Sequence, residues 1–215
     1  KNSQISKVAT NKKNTLAVRF PNHPVTRNLL KKLKFPLAAP SANLSSKVSA
    51  VQSTEVKEDF GGNVKLVLEG GKSSIGIEST IIDIRNQPKI LRLGGLEVSN
   101  IQKLLKRKII INKNTTKISV PGQSKLHYST GIPLSTNAKK DKSTEASVLI
   151  KKTKRIKPNH FFLTKNNNLK EAAKNLYSTL RLIKKSKFKS IAVQRIPDTG
   201  FGKTINDRLI RASKF

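Results

Sequence analysis

The chain has 215 residues, 44 Lys and Arg against 12 Asp and Glu, and a formal net charge of +32; hydrophobic residues make up 35% of it and aromatics 5%. That length accommodates one large domain or two small ones, with cores built from Ile, Leu and Val, and the lack of cysteine excludes disulfides, thiolate zinc sites, iron–sulfur ligation and a thiol nucleophile. No apolar run reaches the ~18 residues of a membrane span, and KNSQISKVATNKKN lacks the apolar middle of a signal peptide, so a soluble, cytoplasmic protein without a membrane partner is expected.

After a polar lead, TLAVRF (15–20) alternates like a half-buried strand. PVTRNLLKKLK (24–34) follows as a helix, with proline in its first turn and lysines at its end. FPLAAPSA (35–42) reads as a short buried strand with a serine-rich exit. In STEVKEDFGG (53–62), Ser53 is the expected cap and Gly61–Gly62 the stop. NVKLVLEGG (63–71), GIESTIIDI (76–84) and KILRLGG (89–95) read as strands. SNIQKLLKR (99–107) offers Ser99 and Gln102 as a capping box, and KIIIN (108–112) closes a layered α and β region.

Periodicity then disappears, and residues 113–145 read as a linker by composition. A second α/β unit follows over 146–215, with strand candidates ASVLI, HFFLT and SIAVQRI. Its long helix carries an apolar face of Leu169, Ala173, Leu176, Leu180 and Ile183, and TINDRLIRA forms a terminal helix.

Several chemistries fall away. GFGKT (200–204) ends like a phosphate-binding P-loop, but Pro197 stands where that motif needs its first glycine, so a helix-entry turn is expected there. No GxSxG elbow exists, and His23, His127 and His160 are too scattered to support a triad or a local metal-ligand pair. Glu78, between Ile77 and Ser79, reads as a carboxylate tying a neighbouring backbone or arginine in place rather than as a catalytic acid. What remains is a set of anion-friendly groups at strand ends: Arg19, Ser41, Asn43, Ser45, Ser49, Ser79, Thr80 and Arg92. Hydroxyls, amides and guanidinium groups position phosphates and carboxylates without any general base.

TLAVRFPNHP, PLAAPSANLSSKVS, GIESTIIDI and ILRLGG, in that order, resemble the YrdC/Sua5 family of threonylcarbamoyl-AMP synthases. PGQSKLHYS is similar to that family's linker motif SPGxxxxHYxP, and IPDTGFGKTINDRLIRAS to the end of the carboxy-terminal domain of its two-domain Sua5 branch. The resemblance implies an α/β fold of mixed α+β character. Residues 1–112 would be the carboxy-terminal portion of a YrdC-like catalytic domain, a twisted mixed sheet with helices; 113–145 a linker; and 146–215 a small Rossmann-like α/β domain.

The implied reaction joins L-threonine, bicarbonate and ATP into threonylcarbamoyl-AMP and pyrophosphate, for N6-threonylcarbamoyladenosine in tRNA. Mg²⁺ would accompany ATP, with no protein-bound metal, and downstream tRNA-modification proteins would be partners. By motif, Thr15, Asn43, Ser49, Arg92 and Tyr128 would face ATP; Arg19, Ser41 and Ser79 would hold threonine; His127 and Tyr128 would form a lid. The chain departs from the family's SANxSGxxSPT by having Ser46 for the glycine and Ala50–Val51 for the final Pro-Thr. The family's KxR motif has no counterpart before Thr15 and methionine is absent, so the chain reads as a piece of a longer protein, inactive by itself. The alternative is a double-stranded RNA or tRNA-binding module without catalysis, consistent with the charge, although the lysines are spread along the whole chain and so do not name the partner.

Overall fold

The computed structural model describes residues 5–10, 12–111, 120–122, 127–138 and 142–214. Parts of the expected polar lead, linker and linker motif lie outside these residues. The chain divides into two units, Lys1–Ser41 with Leu68–Gly70, and Ala42–Val67 with Gly71–Phe215.

In the first unit a helix, α1 (Pro24–Lys32), begins with proline after an extended His23 and ends with Lys31 and Lys32, as expected. His23 Nε2 lies 3.0 Å from the Gly70 carbonyl oxygen. The strands expected at 15–20 and 35–42 do not form: both segments lack regular pairing, and Val18, Phe20, Phe35 and Leu37 are exposed. A strand needs a ladder partner as well as an alternating pattern, and the described residues of this unit supply none. The strand expected over 63–71 is likewise absent, with Leu66 and Leu68 exposed.

The second unit holds two sheets. The smaller contains β1 (Ile81–Asp83), β2 (Lys89–Arg92) and β3 (Ile110–Ile111), with β1 antiparallel and β3 parallel to β2. Helix α3 (Val98–Leu105) connects β2 to β3, and Ile90, Ile101 and Ile109 make its core. The strand expected over 76–84 is thus confined to its last residues. Upstream, Gly76 has φ +78°, and the Glu78 carbonyl accepts from the Gly95 amide at 2.8 Å without a regular ladder forming.

The larger sheet is parallel in order β4 (Leu134–Ser135), β7 (Ile191–Val193), β5 (Ala146–Lys151), β6 (His160–Thr164), packed by α4 (Leu169–Lys184) and α5 (Phe201–Ala212). This matches the Rossmann-like expectation. Asn168 caps α4, its Oδ1 accepting from the amides of Lys170 and Glu171 at 2.9 and 3.1 Å. Ala173, Leu176, Leu180 and Ile183 are buried as the periodicity requires, with Leu169 packed against them. Strand β4 lies inside the stretch read as a linker, where composition hides it because a two-residue edge strand has no periodicity to show.

Two caps differ from expectation. In α2 (Ser53–Phe60) the capping position belongs to Gln52, and Glu55 reaches back instead, accepting from the Val51 amide at 2.7 Å. Helix α3 starts at Val98 rather than beyond Ser99, because the Thr80 hydroxyl binds both the amide and the carbonyl of Leu96 and sets the entry of the chain. GFGKT does enter a helix: Gly200 has φ +47° and precedes the first turn. A Cβ on Gly202 would lie 1.8 Å from the Pro197 carbonyl oxygen, so that glycine serves close packing.

One core joins Val48, Val51 and Ile77 to Tyr128, Leu176, Ile205 and Leu209. Val51, which stands where the family has threonine, is part of it. Two arginines weld the same segments. Arg181 of α4 binds Asp59 and the carbonyls of Val48 and Glu55, and Arg208 of α5 binds Glu78.

Candidate functional site

The second unit contains Asn43, Ser49, Ser79, Arg92, His127 and Tyr128 of the candidate residues. Thr15, Arg19 and Ser41 belong to the first, where Arg19 and Ser41 are exposed and Thr15 half-buried.

Backbone pairing brings the linker motif to the serine-rich segment. Lys47 bridges Ser129, the Ser129 amide donates to the Ser46 carbonyl at 2.8 Å, and the Val48 amide donates to the Ser129 carbonyl at 3.3 Å. Both strands of this contact turn through left-handed residues, Ser46 at φ +63° and Tyr128 at φ +63°. Serine therefore occupies, at some cost, a conformation open to the family's glycine without strain.

Arg92 secures the motif from its other end. Its Nε and Nη2 donate to the Ser79 carbonyl at 3.1 and 2.8 Å, and Nη1 donates to the Pro121 carbonyl at 3.1 Å. Strand β2 thereby presents a buried guanidinium between the Ser79 segment and the start of PGQSKLHYS.

A carboxylate organises the interior. Glu78 accepts from Ser49 Oγ at 2.7 Å, from the Tyr177 hydroxyl at 2.9 and 3.1 Å, and from Arg208 Nε at 3.1 Å. Burial pushes its carboxyl up, but Arg208 and the hydrogen bonds from Ser49 and Tyr177 outweigh this and hold it below the ordinary 4.5. The structure thus bears out Glu78 as a tie for an arginine. Tyr128 stacks on Tyr177 at 5.7 Å, and the Arg208 guanidinium carbon lies 5.0 Å from the Tyr128 ring centroid. Burial raises the Tyr128 hydroxyl to about 12 and lowers the His127 imidazole.

The donor inventory refines the chemistry. Asn43 Nδ2 is committed to the carbonyls of Leu44 and Lys47, and Ser49 gives its proton to Glu78. Both side chains therefore offer acceptors: Asn43 Oδ1 is buried with no partner among the described residues, as are the Tyr128 hydroxyl and His127 Nδ1. Such acceptors suit ribose hydroxyls, an adenine amine or an ammonium better than phosphate. Phosphate would fall to guanidinium and backbone donors and to the protonated Tyr128 hydroxyl. An open hollow of about 570 Å³ lined by Asn137, Ala138, Gln194 and Arg195 lies elsewhere, and none of the candidate residues lines it.

Arg208 and Tyr177 escaped the sequence reading. The available signal was an arginine on the buried face of α5, in helical register with Thr204, Ile205, Leu209 and Ala212.

Comparison with known proteins places these features in a family. Residues 1–94 match the Sua5/YciO/YrdC family, described as telomere recombination, and residues 96–214 match the carboxy-terminal domain of threonylcarbamoyl-AMP synthase. The Pyrococcus abyssi threonylcarbamoyl-AMP synthase is 29% identical over 100% of this chain and 68% of its own length; that of Bacillus subtilis is 29% identical over 93% and 63%. The chain thus spans about two thirds of the length of these relatives. The crystal structure of P. abyssi Sua5 complexed with L-threonine is similar at a TM-score of 0.83 and 27% identity, covering 99% of this chain and 68% of that one. A second P. abyssi Sua5 structure, with an adjacent histidine and tyrosine replaced by alanine, reaches 0.79 at 27% identity, covering 99% and 66%. With more than half of its residues matching the synthase's carboxy-terminal domain behind a Sua5/YciO/YrdC region, the chain belongs to the two-domain Sua5 family of threonylcarbamoyl-AMP synthases.

Proposed function

We propose that the protein to which this chain belongs is a threonylcarbamoyl-AMP synthase serving tRNA N6-threonylcarbamoyladenosine formation. The threonine amine and bicarbonate condense to a carbamate with loss of water, and a carbamate oxygen then attacks the α-phosphorus of ATP, breaking the α–β anhydride bond and expelling pyrophosphate. The carrying observation is the likeness of 99% of the chain to a Sua5 fold that binds L-threonine. The local chemistry agrees: an in-line attack of one anion on another needs fixed donors and cations, and no general base once the carbamate exists.

In this reading Thr15, Asn43, Ser49, Arg92 and Tyr128 face ATP, and Arg19, Ser41 and Ser79 hold threonine. Asn43 and Ser49 meet the sugar or base, and Arg92 the phosphates. His127–Tyr128 close over the nucleotide from 113–145, the segment between the catalytic part (1–112) and the Rossmann-like domain (146–215). Mg²⁺ would ride on the phosphate oxygens, since this donor set supplies hydroxyl and amide oxygens but no carboxylate; it would offset charge on the leaving pyrophosphate. The reading includes a cytoplasmic location and tRNA-modification proteins as downstream partners.

Pyrophosphate release by the full-length protein, dependent on threonine, bicarbonate and ATP together, tests the proposal. The 215-residue polypeptide alone is expected to show none. Salt-sensitive RNA binding by a full-length protein that releases no pyrophosphate would overturn this reading in favour of an RNA-binding module.

A further inference from the structure

Among the buried groups of the second unit, Arg208 reaches, directly or through Glu78, each segment of that unit that carries a candidate ligand residue. Its Nε donates to Glu78, which holds Ser49 by a 2.7 Å hydrogen bond and precedes Ser79 in the chain. Its Nη2 donates at 2.6 Å to the carbonyl of Leu93, the residue after Arg92. Its Nη1 donates to Asp207, and its planar face lies 5.0 Å from the Tyr128 ring centroid. Only 1% of this side chain is exposed.

Burying a guanidinium is costly, and an apolar side chain would serve packing at least as well. Each nitrogen here has its own acceptor, and the face above them has its own ring. A lysine keeps the charge but has neither the fork nor the plane.

We propose that Arg208 is a positioning residue for the synthase reaction: through it the carboxy-terminal domain holds Ser49, Ser79, Arg92 and Tyr128 in their working arrangement. This rests on the synthase reading above. The carboxy-terminal helix then sets the geometry of the nucleotide-binding groups, and the domain is a working part of the catalytic site. Arg181 supplies the comparison: a partly buried arginine of the same domain with a similar fork to Asp59, it meets α2 and the Val48 carbonyl but has no bond to Glu78, Leu93 or Tyr128.

The test compares Arg208→Lys with Arg181→Lys in the full-length protein, by hydrogen–deuterium exchange over residues 127–130 and by steady-state pyrophosphate release. Arg208→Lys should speed exchange at 127–130 and raise the ATP KM, each by roughly tenfold, whereas Arg181→Lys should leave both within about twofold. Equal exchange and equal KM in the two variants would overturn the assignment. If Arg208→Lys fails to fold, Tyr177→Phe decides, because it takes a hydroxyl from Glu78 and keeps the ring stack; a raised ATP KM with faster exchange supports the assignment, and no change in either overturns it. A wild-type protein without threonine-dependent pyrophosphate release would reject the synthase reading, while exchange alone would still show whether Arg208 holds the 127–130 segment.

Discussion

Arg181 and Asp59, 122 residues apart in sequence, face each other through two hydrogen bonds of 2.7 and 3.0 Å, with side chains only 12% and 13% exposed. This pair ties the long helix of the carboxy-terminal domain to α2. Asp59→Ala would leave the guanidinium largely buried with Glu55 as its remaining carboxylate, so we expect a loss of about 3 kcal/mol. Urea unfolding should show a lower midpoint at unchanged slope; an unshifted midpoint would mean that Glu55 alone suffices.

Glu78 gives the fold an acid limit. Its folded-state pKa lies below the ordinary 4.5, so its contribution is complete above that value and is lost as pH falls through the folded value beneath it. Glu78→Gln should flatten this part of the stability–pH curve. It should also cost about 3–5 kcal/mol at neutral pH, because Arg208 loses a buried partner. An unchanged acid limb would show that other carboxylates set it.

The only two tyrosines, Tyr128 and Tyr177, both lie in the Glu78–Arg208 cluster, so tyrosinate absorbance reports on it alone. Burial raises Tyr128 to about 12 and Tyr177 well above its usual 10, the latter helped by the charge of Glu78. The native chain should show almost no tyrosinate at pH 10, where the tyrosines of the denatured chain are about half ionised. Because the neutral forms are favoured by folding, this stability is complete below 10 and declines as pH rises through the folded values. A native tyrosine titrating at its usual value would contradict the burial.

Ser46 sits at φ +63°, and glycine adopts that conformation without a Cβ penalty. Ser46→Gly should stabilise the protein by about 0.5–1 kcal/mol, read as a higher melting temperature. Destabilisation would reveal a need for the serine side chain at the 46–129 backbone contact.

Arg19 tests the threonine assignment. It is exposed and makes no hydrogen bond or ion pair among the described residues, so it is available to a carboxylate. Arg19→Lys in the full-length protein keeps the charge and loses the fork, at about 1.5–3 kcal/mol of binding. A threonine KM that does not change would remove Arg19 from the threonine set; an effect confined to ATP would move it to the phosphate side.

Local signals were legible where one stretch of chain contains its own reason for folding. The 3.6-residue spacing of Ala173, Leu176, Leu180 and Ile183 specifies the buried face of α4, and proline with trailing lysines specifies α1. Pro197 already excluded a phosphate loop at GFGKT, and the placement of Glu78 marked it as a tie. Alternation at 15–20 and a short apolar stretch at 35–42 were insufficient, because a strand is completed by hydrogen bonds from elsewhere in the molecule. The same distinction separates the candidate groups from their chemistry. The motifs name Asn43 and Ser49, but only tertiary contacts decide that their protons are already committed to the Leu44 and Lys47 carbonyls and to Glu78. Arg208 is the extreme case: sequence places a charge on an apolar helix face, and two of its acceptors, Leu93 and Glu78, 115 and 130 residues away along the chain, are met only once both segments are folded against that helix.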